Sequence, residues 1–199
     1  MYTKIYGINV LEDPFPWFLL SMLLGGRIME KIARRTFELF LKYGITSPEA
    51  IVNAKWEKLV EILDAGGYTR YDFKTATKLI DISNAILKKG NFKKILIDSK
   101  NSTELLKNLR DFGKGVGNVT VGIFLRELIG KYNFKPMPDK RVLLSSKNIG
   151  IDPLEYSKRN GIDYGYVENF LSATEKNCLK NRCERCVANK YCDFYIHKK

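Results

Sequence analysis

The chain has 199 residues, 45% apolar and 28% charged, a globular composition with room for one large domain or two small lobes. Lys and Arg number 34 against 22 acidic residues, a net charge of +12, so the molecule attracts polyanions; a nucleic acid, a ribosome, a membrane surface or merely a lysine-rich proteome all suit that balance. The longest apolar run, Phe15 to Leu24, is too short and too interrupted to span a bilayer, and no cleavable signal pattern follows it, so a cytoplasmic, nucleoid-associated protein with no membrane partner is expected. Residues 1–14 read as an extended lead-in to that run, which predicts a largely buried helix interrupted by Gly25 and Gly26. A helix from about Met29 to Tyr43 follows, with Phe37, Phe40 and Leu41 inward and Gly44 after its end. Ser47-Pro48-Glu49 is an N-cap followed by a first-turn proline, and Trp56 to Leu63 is amphipathic. The Gly66-Gly67-Tyr68-Thr69-Arg70-Tyr71 loop then enters a long helix over about Asp72 to Lys89. Ser102-Thr103-Glu104 caps another.

That helix runs into the most informative stretch. Leu105, Leu106, Leu109 and Phe112 on one side, and Val121, Phe124, Leu125 and Leu128 on the other, have helical spacing around a gap holding Gly113, Gly115 and Gly117. The pattern predicts helix, tight hairpin, helix. Glycines permit positive φ and close backbone approach, and the second helix opens with N–H groups that suit an anion, here a nucleic-acid phosphate held by Gly113, Lys114, Gly115, Val116, Gly117 and Asn118. An ordinary αα-corner whose glycines only allow close packing has the same pattern.

Beyond Leu128, residues 130–139 hold two prolines and no helical period. Helices restart at Asp139, at Asp152-Pro153 and at Asp163, so the class is all-α, about ten helices joined by short loops, without strands or repeats. All four cysteines fall within the last 22 residues as Cys178-x4-Cys183-x2-Cys186-x5-Cys192. Clustered thiols in a reducing compartment point to a metal rather than to disulfides. Structural zinc more often uses two Cys-x2-Cys knuckles with a long spacer, whereas one compact loop suits a [4Fe–4S] cluster taking one thiolate per iron; both stay open. His197, in a polar tail, reads as a solvated terminal histidine.

Taken together, the Gly115-Val116-Gly117 hairpin, the Pro-rich stretch ending in Asp139 and the four-cysteine loop resemble the endonuclease III family of helix-hairpin-helix DNA glycosylases. The resemblance covers nearly the whole chain, including the apolar helix at Trp17–Leu24 and the Gly67-Tyr68 loop. It implies two lobes, a six-helix lobe over 20–134 and a cluster lobe of 1–19 with 135–199, gripping double-stranded DNA so that a damaged or mismatched base rotates into a pocket. It also implies a [4Fe–4S] cofactor on Cys178, Cys183, Cys186 and Cys192, and a monomer. Asp139 would then stabilise the oxocarbenium-like sugar and help activate water, although a helix N-cap after Pro138 accounts for that aspartate equally simply.

Two departures from the family pattern matter. Bifunctional relatives carry a Schiff-base lysine two residues after Gly-Val-Gly, where this chain has Val119, so a monofunctional glycosylase leaving an abasic site is expected. Lys114 and Lys140 are simplest as phosphate contacts, with a displaced lysine lyase as the alternative. Relatives also place a gap-filling glutamine near Gly25-Gly26-Arg27; here Arg27 either stacks into the hole or is a solvated residue at a helix break. Tyr68, Arg70 and Tyr71 are the base-pocket candidates, with plain packing as the alternative. Uracil or a mismatched pyrimidine is mildly favoured. Other outcomes are a non-catalytic DNA-binding protein of the same fold and a zinc-stapled RNA- or ribosome-binding module.

Overall fold

A computed structural model describes residues 1–26 and 28–197, with Lys176 described in its backbone only. Among the described residues the fold is all helical, with one isolated bridge, Ile129 to Tyr132, and no strand. Among the described residues, no helix is long and apolar enough to cross a membrane. The chain divides into two compact units, residues 2–135 and residues 136–199 together with Met1.

The larger unit is built on α2 (Phe15–Leu24), whose apolar residues on every side leave it no solvent face. Trp17, Phe18, Leu19, Leu20 and Leu23 are all buried, each such side chain stabilising the fold by about 1.5–3 kcal/mol. The Trp17 indole N–H donates to the Phe124 carbonyl at 2.8 Å, and Phe15, Phe18, Phe92 and Phe124 pack as one aromatic group. Around α2 lie α3 (Glu30–Lys42) and α8 (Asn118–Arg126), with α4 (Pro48–Gly66), α5 (Asp72–Lys89), α6 (Phe92–Asp98) and α7 (Ser102–Arg110) completing the bundle. Within α4 the backbone breaks at Lys55, at φ 61°, so its second half begins at Trp56, where the amphipathic run begins in the sequence. Gly66 fits only because it lacks a side chain: a Cβ there would strike Thr36 of α3.

The N-terminal segment differs from expectation. It forms a single turn, α1 (Tyr2–Ile5), and lies with the larger unit rather than with residues 136–199. The reason is a polar anchor in the sequence of α8's end: the buried Glu127 carboxylate accepts the Tyr2 and Thr3 N–H groups at 2.8 and 2.9 Å. Tyr6 then packs edge-on against Phe37, and the Tyr132 hydroxyl donates to the Val10 carbonyl. Leu41, expected inward, is 37% exposed.

The smaller unit contains α9 (Lys140–Ile149), α10 (Pro153–Asn160), α11 (Tyr164–Leu179) and a terminal turn, α12 (Asp193–Ile196). Asp139, Asp152 and Asp163 cap the first three by accepting first-turn N–H groups. Between α11 and α12 the chain has only two 3-10 turns, Cys183–Arg185 and Asn189–Tyr191.

Candidate functional site

In the larger unit, α7 and α8 are joined by the glycine hairpin. Gly113 and Gly115 take φ of +139° and +117°, a region closed to most side chains. At Gly115 a Cβ would lie 3.1 Å from the Lys78 side chain of α5. Val116 is buried and anchors the hairpin, so its side chain faces the core while the backbone around it faces out. Gly117 is the N-cap of α8 and supplies no side-chain bond to the first turn, and Asn118 and Val119 are exposed there. Lys107, Arg110 and Lys114 are exposed in the same segment. A turn of uncapped N–H groups beside exposed cations is suited to a phosphate.

Near the loop before α5, Tyr68 is only 3% exposed and its hydroxyl donates to the Leu23 carbonyl at 2.5 Å. Burial pushes its phenol well above the ordinary range. Tyr68 is therefore a packing residue that ties the loop to α2, and its ring is not open to a base. Tyr71 is 36% exposed, with the Arg70 guanidinium 5.7 Å from its ring centre. Arg27 lies outside the described residues.

In the smaller unit Asp139 is half-buried and fully engaged. Its Oδ1 accepts the N–H groups of Arg141 and Val142 at 2.9 and 3.1 Å, which caps α9. Its Oδ2 accepts Nε and Nη2 of Arg141 at 2.9 and 2.6 Å. Burial is the largest single influence and pushes the carboxyl pKa up, but the Arg141 guanidinium and the two backbone N–H groups together outweigh it and hold the group below its ordinary value. Asp139 is thus an ionised carboxylate near the surface. Lys140, next to it, is exposed.

The four cysteines, brought together from α11, the first 3-10 turn and the residue after it, and the entry to α12, line one small cavity with Asn148, Asn177, Asn189, Phe194 and Tyr195. All four are free thiols; Cys186 and Cys192 are buried. Those two pack with Val142, Ile149, Val167, Leu171 and Ala188, so the loop is seated on α9 and α11. The Cys192 thiol donates to the Asn148 carbonyl at 3.2 Å. Among the described residues, no three Cys, His, Asp or Glu side chains are gathered as a group that could hold a metal ion. As a donor set, four thiols around one cavity with no carboxylate or imidazole in its lining fit a soft, thiolate-bound centre.

Family models, curated proteins and solved structures were compared with the chain, and none matches.

Two site features were not foreseen. Arg141 has no marker in the sequence beyond its spacing, a long cation two residues after a capping aspartate that can reach back to it. Asn148 becomes visible only once α9 is placed beside the cysteine loop. Gly150, the left-handed residue that ends α9 at φ +84°, is also critical: a Cβ there would run into the Asp193 carboxylate of α12. Gly150→Ala is expected to lower stability by about 1–3 kcal/mol from strain plus displacement of α12. Thermal unfolding monitored together with protection of residues 178–196 from hydrogen exchange would show it, the loss being concentrated in that segment.

Proposed function

We propose that the chain is a monofunctional DNA glycosylase of the endonuclease III type. The observation that carries this reading is the ionised Asp139 carboxylate, held near the surface of a unit that also gathers four thiols on one cavity. In a chain of net charge +12 that also has a glycine hairpin opening an uncapped helix, the partner is double-stranded DNA with a damaged or mispaired base.

The reaction is hydrolysis of the N-glycosidic bond. The C1′–N bond breaks with its electron pair leaving on the base, and the sugar passes through a cationic, oxocarbenium-like state. A water oxygen then bonds to C1′, and the proton it loses ends on the departing base. A carboxylate that remains ionised well below neutral pH is suited to stabilise that cation and to steer the water. Val119, exposed where a Schiff-base lysine would stand, supports hydrolysis without strand cleavage. When bound, a [4Fe–4S] cluster on Cys178, Cys183, Cys186 and Cys192 would cross-link a loop that has little secondary structure of its own. Four thiols lining one cavity would offer one thiolate to each of four irons.

Duplexes each carrying one lesion test the reading, with uracil and guanine–thymine mispairs first. Strand breaks are expected only after alkali, which reveals abasic sites. Breaks without alkali would indicate a lyase, and no abasic product on any duplex, despite salt-dependent DNA binding, would leave a non-catalytic binding protein.

A further inference from the structure

The two oxygens of Asp139 are committed to different tasks. Oδ1 holds the start of α9 through two backbone N–H groups and cannot turn away without uncapping that helix. Oδ2 has no backbone donor; it is held by Nε and Nη2 of Arg141 in a two-point pair. A cation forming on a sugar needs Oδ2, and a guanidinium already seated there offsets most of the field that the carboxylate would exert. The pair is accessible, with Arg141 49% and Asp139 28% exposed at their side chains, so an anion from solution can take the guanidinium without disturbing the core. The charged groups around it would not hold it on Asp139. Glu168 and Glu175 of α11, packed against α9, also attract Arg141, Lys140 precedes it, and Asp193 of α12 lies at the far end of α9, beside Gly150.

We propose that Arg141 is a latch on Asp139 that the DNA backbone opens: a phosphate flanking the target nucleotide takes the guanidinium in a two-point contact, and Oδ2 is freed only when substrate is in place. This rests on the glycosylase reading. Arginine suits the task because its planar fork matches a phosphate as well as it matches a carboxylate. Arg141 is a positioning residue, acting on the sugar only through Asp139.

The test compares the whole protein with Arg141→Gln and Asp139→Asn in single-turnover excision at saturating duplex. Arg141→Gln is expected to bind DNA less tightly, with a salt slope smaller by about one phosphate contact, yet to excise at or above the unmodified rate once saturated. At saturating duplex the acid limb of its rate profile should coincide with that of the unmodified protein, where the guanidinium has already left the carboxylate for a phosphate, whereas at limiting duplex, where the free protein's carboxyl is read, the limb of Arg141→Gln lies higher because nothing there favours the ionised form. A saturated rate as low as that of Asp139→Asn, or saturated acid limbs that differ between the two proteins, would overturn the latch. A second measurement separates its failure from that of the enzymatic reading. Carboxyl NMR titration of Asp139, with and without a duplex carrying a tetrahydrofuran abasic analogue, needs no turnover. The carboxyl pKa should rise more on DNA binding in the unmodified protein than in Arg141→Gln. Equal rises, or failure to bind the duplex, would refute a DNA-opened latch whether or not any base is excised.

Discussion

Protein prepared without oxygen is expected to be brown and to carry iron and acid-labile sulfide in equal amounts, and Cys186→Ala is expected to lose both together with the ordered structure of residues 178–196. The expectation follows from how little else holds this segment. Between α11 and α12 it has two single 3-10 turns, and fixing each backbone residue costs about 1–2 kcal/mol. Among the contacts that stand against that are the burial of Ala188 and two cysteines on α9 and α11, the packing of Tyr195 on the same cluster, and a thiol hydrogen bond to Asn148. Bound metal can add on the order of 10 kcal/mol, the scale known for structural zinc, which is enough to decide whether such a loop is ordered. Cys186 is the more telling of the two buried cysteines that face the cavity, because the thiol hydrogen bond to Asn148 belongs to Cys192 and is left in place. Its replacement by alanine removes a ligand while disturbing packing little, so loss of protection well beyond residue 186 would trace to the missing metal. The larger unit, with its own aromatic core, should keep its helices. A colourless protein containing zinc and no iron would instead assign a single-ion site, and a protein ordered over 178–196 with neither metal would remove the metal from the account.

Much of the fold was legible because it is written in local rules. The Asp72–Lys89 helix has the predicted ends, and the strongly apolar content of α2 announces its burial. The caps at Ser47, Asp139, Asp152 and Asp163 were plain from residue type and the spacing to proline or to the next apolar run, whereas α7 is capped by Asn101 rather than by the expected Ser102, whose hydroxyl bonds to the Lys135 backbone instead. What escaped was non-local. The N-terminal turn depends on Glu127, more than a hundred residues away, and nothing in residues 1–14 announces that partner. α6 is seven residues long, too short to show a helical period, and is fixed by the Asn91 cap and by Phe92 joining the aromatic group. At the site, glycine spacing and cysteine spacing were readable as patterns. Whether an aromatic in a loop is open or packed was not, since Tyr68 and Tyr71 stand three residues apart and only the proximity of the Leu23 carbonyl decides that Tyr68 is buried.

Asp139→Asn is expected to lower excision at saturating DNA by about 100-fold or more while costing less than about 1 kcal/mol of stability. The two effects separate because asparagine caps a helix as well as aspartate does, so the Arg141 and Val142 N–H groups keep their acceptor. What is lost is the negative charge, and with it the ion pair to Arg141, which at half-exposed side chains is worth little to folding. A cation forming on the sugar then meets a neutral amide, and removal of one such electrostatic partner costs about 100- to 1,000-fold in enzymes generally. The pH dependence has a definite sign. The folded carboxyl titrates below its unfolded value of about 4, so its contribution to stability is fully present above that value and disappears as pH falls through the folded pKa. Activity should be flat through neutral pH on this group and decline only in acid, and Asp139→Asn should abolish that limb. Loss of activity accompanied by a large drop in melting temperature would mean that the residue is only a cap. Unchanged excision in a stable Asp139→Asn protein would remove this carboxylate from the chemistry altogether.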